Sequence, residues 1–190
     1  MNQKSRLRSE ILFKRKLIPM SLVEQRSLMI FEQFKLLFQQ FKHFKKFHCF
    51  LPIKKNKEVD TFPIVNYLSG QQKNIMTSIV TLEPRSMKHV YLDNQIDLKI
   101  SGMGIPEPLD GEPADILSAN AIIVPLVAAD RNGGRIGYGK GFYDELLINV
   151  KKQVLKIGLS LTPCLDQIPQ LESHDQKLDY CITPHSTVIC

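Results

Sequence analysis

The chain has 190 residues, 25 Lys/Arg against 19 Asp/Glu for a net charge of +6, and 43% hydrophobic residues, a size that suits a single domain spanning residues 1–190. Its most apolar window, residues 119–129, is too short and interrupted to cross a bilayer, and the basic first nine residues run into no apolar signal core, so a soluble, untargeted cytoplasmic protein is expected. Cys49, Cys164, Cys181 and Cys190 lie far apart with no CxxC pair or neighbouring histidine pattern, which argues against zinc and against a disulfide framework.

Charge is uneven along the chain: residues 1–57 carry 14 Lys/Arg against 3 Asp/Glu, and the remainder 11 against 16. Such asymmetry can mark a nucleic-acid binder, but these cations follow helical spacing without interleaved aromatics. A solvated helix face, partly recruited to small anions, is the more economical reading. Residues 4–18 predict a first helix with Leu7, Ile11 and Ile18 close to one face and Lys4, Arg8 and Arg15 along another. Spacing alone makes that basic face an exposed one, and Pro19 ends the helix. Ser21 and Glu24 form a capping box for a second helix, in which Val23, Ile30, Phe34, Leu37 and Phe41 recur at three- and four-residue steps. The phenylalanines of residues 31–50 therefore read as core packing, not as base-stacking platforms.

Residues 47–51 read as a buried strand, and Asp60 as the N-cap of a short helix running to Leu68 and ended by Ser69-Gly70. Residues 74–82 are a second strand. Ile96, Leu98 and Ile100 alternate in a third after the turn-forming Asp93-Asn94, as in a hairpin. Residues 102–113 are loop by composition. Beyond them, 121–128 is a short apolar run, 155–160 a strand, and 179–182 a short last one. Strands alternating with helical segments argue for an α/β sheet with ligands at the strands' C-terminal ends.

Residues 131–144 concentrate the unusual chemistry: Gly133, Gly134, Gly137, Gly139 and Gly141 are interleaved with Arg131, Arg135 and Lys140. Glycine admits positive φ and lets backbone N–H groups approach a ligand, so this is a loop suited to wrapping an anion, phosphate above all. An apolar run before it and helical spacing after it place the loop where N–H groups aim at a bound phosphate. Gly134 to Lys140 even satisfies GxxxxGK, but Gly141 stands where a Walker A loop has the Ser or Thr that holds magnesium. Asp144 offers the hard carboxylate oxygen instead. Tyr138, flanked by glycines, reads as a ligand contact, and Tyr143 equally as contact or packing.

Val124-Pro125-Leu126-Val127, Asp130, Arg135 and the run from Gly137 through Tyr138, Gly139, Lys140, Gly141, Phe142 and Tyr143 to Asp144 resemble the signature of the 5-formyltetrahydrofolate cyclo-ligases, also called methenyltetrahydrofolate synthetases. The resemblance extends in order to Lys4 through Arg8, Glu58 to Thr61, Gly104 to Pro108, and Ser173-His174-Asp175, and so touches most of the chain. It implies a three-layer α/β/α sandwich around a largely parallel sheet. It further implies that ATP and Mg2+ are used to close 5-formyltetrahydrofolate to 5,10-methenyltetrahydrofolate, releasing ADP and phosphate. The formyl oxygen would be phosphorylated and nitrogen 10 would close the ring.

By match, ATP would be bound by Lys4, Ser5, Arg6, Leu7, Arg8, Arg135, Ile136, Gly137, Tyr138, Gly139, Lys140, Gly141, Phe142 and Tyr143. The folate would be bound by Arg8, Leu51 or Ile53, Glu58 toward the pterin, Tyr138, Gly139, Lys140, Gly141 and Phe142. Lys140 and Arg135 would be catalytic, and Asp144 with Asp175 would hold the metal. Gly104 to Pro108 would wall the pocket. Ser160-Leu161-Thr162-Pro163 departs from the glutamine the family often has after the preceding strand. The expected partners are folate, with polyglutamylated forms left open, and ATP, with no membrane, no nucleic acid and a monomeric state. Two other readings stay open: an ATP-independent sugar-phosphate isomerase or CoA-transferase relative on the same sandwich, and a non-catalytic nucleotide- or RNA-binding module.

Overall fold

The computed structural model describes residues 2–82, 84–93, 97–169 and 175–190. The basic first helix is α1 (Gln3–Leu17), capped by Asn2, whose side chain accepts from Ser5 N. It stops at Ile18, which is extended ahead of Pro19, the conformation a following proline favours. Helix α2 (Met20–Phe38) has Pro19 as its N-cap and no side-chain cap, so the box expected at Ser21 does not form. The Pro19 carbonyl accepts from Leu22 and Val23 and opens the helix two residues earlier, on a φ that proline already fixes.

Strand β1 (Lys46–Cys49), helix α3 (Phe62–Gly70) and strand β2 (Asn74–Leu82) then follow. Asp60 Oδ1 accepts from Phe62 N, although Thr61 takes the N-cap position itself. β2 is followed by β3 (Arg85–Tyr91), a strand not expected from the sequence, which pairs with it antiparallel over its full length. Strand β4 (Leu98–Ile100) does not join that hairpin; it pairs with β5 (Pro106–Pro108). The stretch read as loop thus contains a buried strand, and Glu107 Oε1 ties it to the sheet by accepting from Val80 N at 3.0 Å. Asn94 and Ile96, assigned above to the turn and the third strand, lie outside the described residues.

The remaining elements are β6 (Ala121–Pro125), β7 (Ala128–Ala129), β8 (Arg135–Ile136), α4 (Phe142–Asn149), β9 (Leu155–Leu159), β10 (Tyr180–Ile182) and β11 (Thr187–Ile189), so one more strand follows the one expected last. The main sheet has the order β11-β10-β9-β6-β1-β2-β3. Its five central strands are parallel, and β11 and β3 run antiparallel at the edges. Strand β6 shows why the fold has three layers. Ala121 and Ile123 face a cluster with Ile30, Phe34 and Phe38 of α2 and Ile64 of α3, while Ile122 and Val124 face Leu146 and Leu147 of α4. A strand covered on both faces reads as an unbroken apolar run.

Phe38 packs on Phe34 and Phe47, as the helical spacing predicted. A smaller cluster sets Leu7, Ile11 and Leu12 of α1 on Val127, Ala128, Ile136 and Ile168. The Lys57 ammonium donates to the carbonyl oxygens of Lys16 and Ile18, a cation placed where the dipole of α1 favours it. Among the described residues no helix is long and apolar enough to cross a membrane.

Candidate active site

Strand order reverses between β1 and β6. From β1 the chain continues outward to β2 and β3, then returns to β6 on the other side and continues to β9 and β10. Loops leaving two adjacent strands in opposite directions open a crevice at their C-terminal ends. A cavity of about 360 Å³ lies there, lined by Phe50 and Leu51 after β1, Pro125 at the end of β6, Val80 and Met87 from the edge hairpin, and residues 137–144. Met103 and Ile105 of the β4–β5 ribbon close one side, Ile105 being the residue of the Gly104 to Pro108 stretch that lines the cavity.

The glycine-rich stretch is not one anion loop. Its first part is the turn of the β7–β8 hairpin, in which Ala128 pairs with Ile136 and Ala129 with Arg135. Asp130, fully buried, closes that turn: Oδ1 accepts from Asn132 N and Gly134 N, and Oδ2 from Ile168 N, at 2.8–2.9 Å. Gly133 has φ 81, and a Cβ there would lie 2.6 Å from the Leu178 carbonyl oxygen. Its glycine is needed for close packing, and Gly133 and Gly134 are buried. Arg131 points outward to exposed Asp166. The second part, from Gly137 to Asp144, lines the cavity throughout, and of the hairpin part Arg135 alone is among the lining residues. The strand, loop and helix expected in succession are thus interrupted by a hairpin, and the GxxxxGK match spans two structures with different jobs.

The basic face of α1 turns inward. The Lys4 ammonium donates to Asp175, with both side chains only 11% exposed. Arg8 Nε donates to the Gly137 carbonyl at 2.8 Å, and its guanidinium lies against Gly139, whose Cβ position is 3.3 Å from Nη1. Buried Arg15 donates through Nη2 to the Leu126 and Val127 carbonyls at 3.1 and 2.7 Å, and through Nη1 to the Tyr138 hydroxyl at 2.8 Å. These residues stand at helical steps of four, seven and eleven, so one face of α1 orders the loop. Of the other residues matched here, Arg6 is exposed and paired with Glu10, Ser5 donates its backbone N–H to the capping Asn2 side chain, and Leu7 packs on the small cluster.

Glu58 is 7% exposed at the cavity wall, where its Oε2 accepts from Ile53 N at 2.8 Å. Burial pushes its carboxyl above the usual range, against hydrogen bonds from Ile53 and Tyr138 and the charge of Arg15. Tyr138 therefore sits between Arg15 and Glu58. Burial and the neighbouring carboxylate push its hydroxyl up, so it remains protonated. The tyrosine lines the cavity with its hydroxyl already engaged. Leu51 and Ile53, the two residues between which the apolar contact was left open, both line the cavity.

Arg135 is 3% exposed, its Nη2 donating to Asp144 Oδ1 at 2.6 Å while its Nε has no partner among the described residues. Lys140 is exposed at the rim, and among the described residues its ammonium has no carboxylate partner. Ile136 is fully buried, leaving only its backbone for a ligand. Phe142 lines the cavity under Arg85, whose guanidinium carbon stands 5.0 Å from its ring centroid. Tyr143 packs into both large clusters and touches the cavity, so packing and contact coexist.

Among the described residues no three His, Cys, Asp or Glu side chains converge as a metal cage. Magnesium with a triphosphate asks for less, one or two carboxylates beside phosphate oxygens and water. Asp144, at the cavity wall and 32% exposed, fits that need; Asp175 holds Lys4 and is not a lining residue. Ser173 and His174 lie outside the described residues.

A family model described as the 5-formyltetrahydrofolate cyclo-ligase family matches residues 1–184. An Escherichia coli protein named 5-formyltetrahydrofolate cyclo-ligase is 32% identical over 133 residues, 67% of this chain and 72% of its own length. A Mus musculus protein of the same name is 26% identical over 187 residues, covering 91% and 89%. Among solved structures, the Aquifex aeolicus 5,10-methenyltetrahydrofolate synthetase superposes with a TM-score of 0.84 at 28% identity, over 99% of this chain and 93% of that one.

Proposed function

The chain belongs to the 5-formyltetrahydrofolate cyclo-ligase family, whose ATP-dependent reaction closes 5-formyltetrahydrofolate to 5,10-methenyltetrahydrofolate, and we propose that it does so in the cavity at the β1/β6 switch point. The observation that carries this reading is the cavity's polarity: a buried carboxylate, Glu58, at one wall and, at the rim of another, Lys140, which has no carboxylate partner among the described residues. A fused heterocycle with ring and exocyclic N–H donors meets an acceptor at the first, and a polyphosphate meets cations and backbone N–H groups at the second.

The formyl amide is a poor electrophile. Transfer of the γ-phosphoryl group of ATP to the formyl oxygen turns that oxygen into a leaving group, nitrogen 10 adds to the carbon, and phosphate departs with the nitrogen 10 proton as the ring closes. Such a transfer asks the protein for position and charge, not covalent help. Lys140 supplies a mobile cation for the transferring phosphoryl group. Arg135, held by Asp144, offers its free Nε edge from beneath. Arg8 and Arg15 fix the loop through the Gly137 carbonyl and the Tyr138 hydroxyl and add positive potential behind it. Glu58, held in place by the Tyr138 hydroxyl, orients the pterin ring. Magnesium, when bound at Asp144, would neutralise charge on the β- and γ-phosphates. The apolar walls from Leu51, Val80 and Met87 keep water from the activated intermediate.

The test is turnover: purified protein, ATP, magnesium and 5-formyltetrahydrofolate are mixed and the ultraviolet absorbance of the methenyl product is followed. Product is expected only when all components are present. Methenyl formation without ATP, or none with every component, refutes the reading.

A further inference from the structure

Three polar side chains stand side by side across the edge of the sheet, beside the cavity, where neither the sequence motif nor the mechanism above uses them. His48 on β1, Ser78 on β2 and His89 on β3 share one face: His48 pairs with Met76, two residues before Ser78, and Ser78 pairs directly with His89. His48 Nε2 is 2.7 Å from Ser78 Oγ, which is 3.1 Å from His89 Nδ1. The two rings meet edge to face at 5.5 Å, and Tyr143 covers His48 at 6.0 Å. Ser78 lines the cavity and neither histidine does.

The direction of the hydrogen bonds follows from burial. His48 is fully buried and its Nδ1 has no partner among the described residues. An orphaned acceptor in a protein interior is tolerated better than an orphaned N–H, so the ring proton belongs on Nε2 and is donated to Ser78 Oγ. The serine proton then goes to His89 Nδ1. A hydroxyl has one proton and two lone pairs; here the proton and one lone pair are spent within the sheet. What Ser78 shows the cavity is its second lone pair, an acceptor strengthened by the chain it belongs to. Desolvation keeps both imidazoles neutral at physiological pH, which preserves this arrangement.

We propose that Ser78 is a specificity-determining residue that accepts a hydrogen bond from a ring N–H of the reduced pteridine, as a second acceptor beside Glu58, with His48 and His89 as the residues that position its hydroxyl. The assignment rests on the folate reading above and refines it. The chemistry is directional: two fixed acceptors on one apolar cavity select a heterocycle that carries N–H donors on two edges, and reject an isostere that lacks one of them, because a buried acceptor is then left unpaired.

The experiment is steady-state kinetics of the full chain with 5-formyltetrahydrofolate and with its 8-deaza analogue, which lacks the N8–H, for wild type, S78A, S78T and H89F. Loss of one hydrogen bond to bound ligand corresponds to about a tenfold change in affinity. S78A is therefore expected to raise the folate KM about tenfold with kcat and the ATP KM held within about twofold. The analogue's KM should be nearly the same in S78A as in wild type, and S78T should restore discrimination between the two folates. H89F, which releases the serine proton and lets the hydroxyl turn, should give an intermediate loss of discrimination. A wild type that makes no methenyl product overturns the folate reading and the Ser78 assignment with it. Wild-type turnover with an unchanged folate KM in S78A overturns the Ser78 assignment alone. So does a parallel rise for both folates and ATP, the pattern of a merely structural loss.

Discussion

The two halves of the glycine-rich stretch are nearly alike in composition and opposite in use. Around Asp130 to Gly134, glycine serves packing: the backbone presses against Leu178, three N–H groups are consumed by one buried carboxylate, and Arg131 faces solvent. From Gly137 to Gly141, glycine serves access: Gly139 and Gly141 have φ of 83 and 74, Arg8 and Arg85 close over them, and Lys140 has no carboxylate partner among the described residues. The comparison teaches that a run of glycines and cations becomes a ligand loop only where its N–H groups are not already spent. The first half is the rigid anchor from which the second is hung.

Substitutions in the two halves should separate accordingly. The largest effect is expected from Lys140→Ala, which removes the charge proposed to act on the transferring phosphoryl group. Turnover should fall by a factor of about 10² to 10³, with an unchanged thermal melt; near-normal turnover would show that the second half carries no catalytic charge. Asp130→Ala should do the reverse, since it leaves three backbone N–H groups without their acceptor, those of Gly134 and Ile168 in the interior. A stability loss of about 3 kcal/mol or more is expected in urea unfolding, and the folded fraction should retain the wild-type ATP KM.

The sheet beneath the loop gives the next effect. Burial, reinforced by His89, pulls His48 down to about 3 from its ordinary 6.5. The unfolded chain takes up that proton below pH 6.5, and the folded chain refuses it until about pH 3. The contribution is therefore complete above pH 6.5 and is lost as pH falls toward 3. Between pH 7 and pH 5 it amounts to about 2 kcal/mol. Urea midpoints of wild type and His48→Phe at the two pH values check it, and an equal pH slope in both proteins would contradict it.

Gly133→Ala forces a side chain into left-handed backbone against Leu178 and should lose about 1–2 kcal/mol of stability or more. Gly139→Ala has the same backbone strain but meets only the flexible end of Arg8, so its main symptom should be a raised ATP KM. Arg131→Ala, at the exposed tip, should change neither the melt nor turnover.

Much of this was legible in sequence, and the failures have physical causes. β2 and β9 were read to within a residue because both carry apolar runs bounded by polar turns. β3 was missed because Arg85, Lys88 and His89 interrupt its alternation on a half-exposed edge. β5 was missed because Pro106 and Pro108 look like punctuation, although an edge strand tolerates them. β7 and β8, two residues each, are shorter than any periodicity. The inward turn of Lys4, Arg8 and Arg15 was invisible locally, because their partners lie more than 100 residues away in Leu126, Val127, Gly137, Tyr138 and Asp175. Their common helical face was the one available signal. Within the site, Lys140 and Glu58 were legible through the family resemblance. Ser78 was not, since its neighbours are assembled only by strand pairing.

Phosphate oxygens are expected along the second half of the stretch and not the first. A crystal structure with magnesium and a non-hydrolysable ATP analogue tests this most directly. The triphosphate should lie against Gly137 to Gly141, with the Lys140 ammonium on its terminal group and Asp144 facing the metal. A triphosphate seated on residues 131–134, or away from both, would contradict the account.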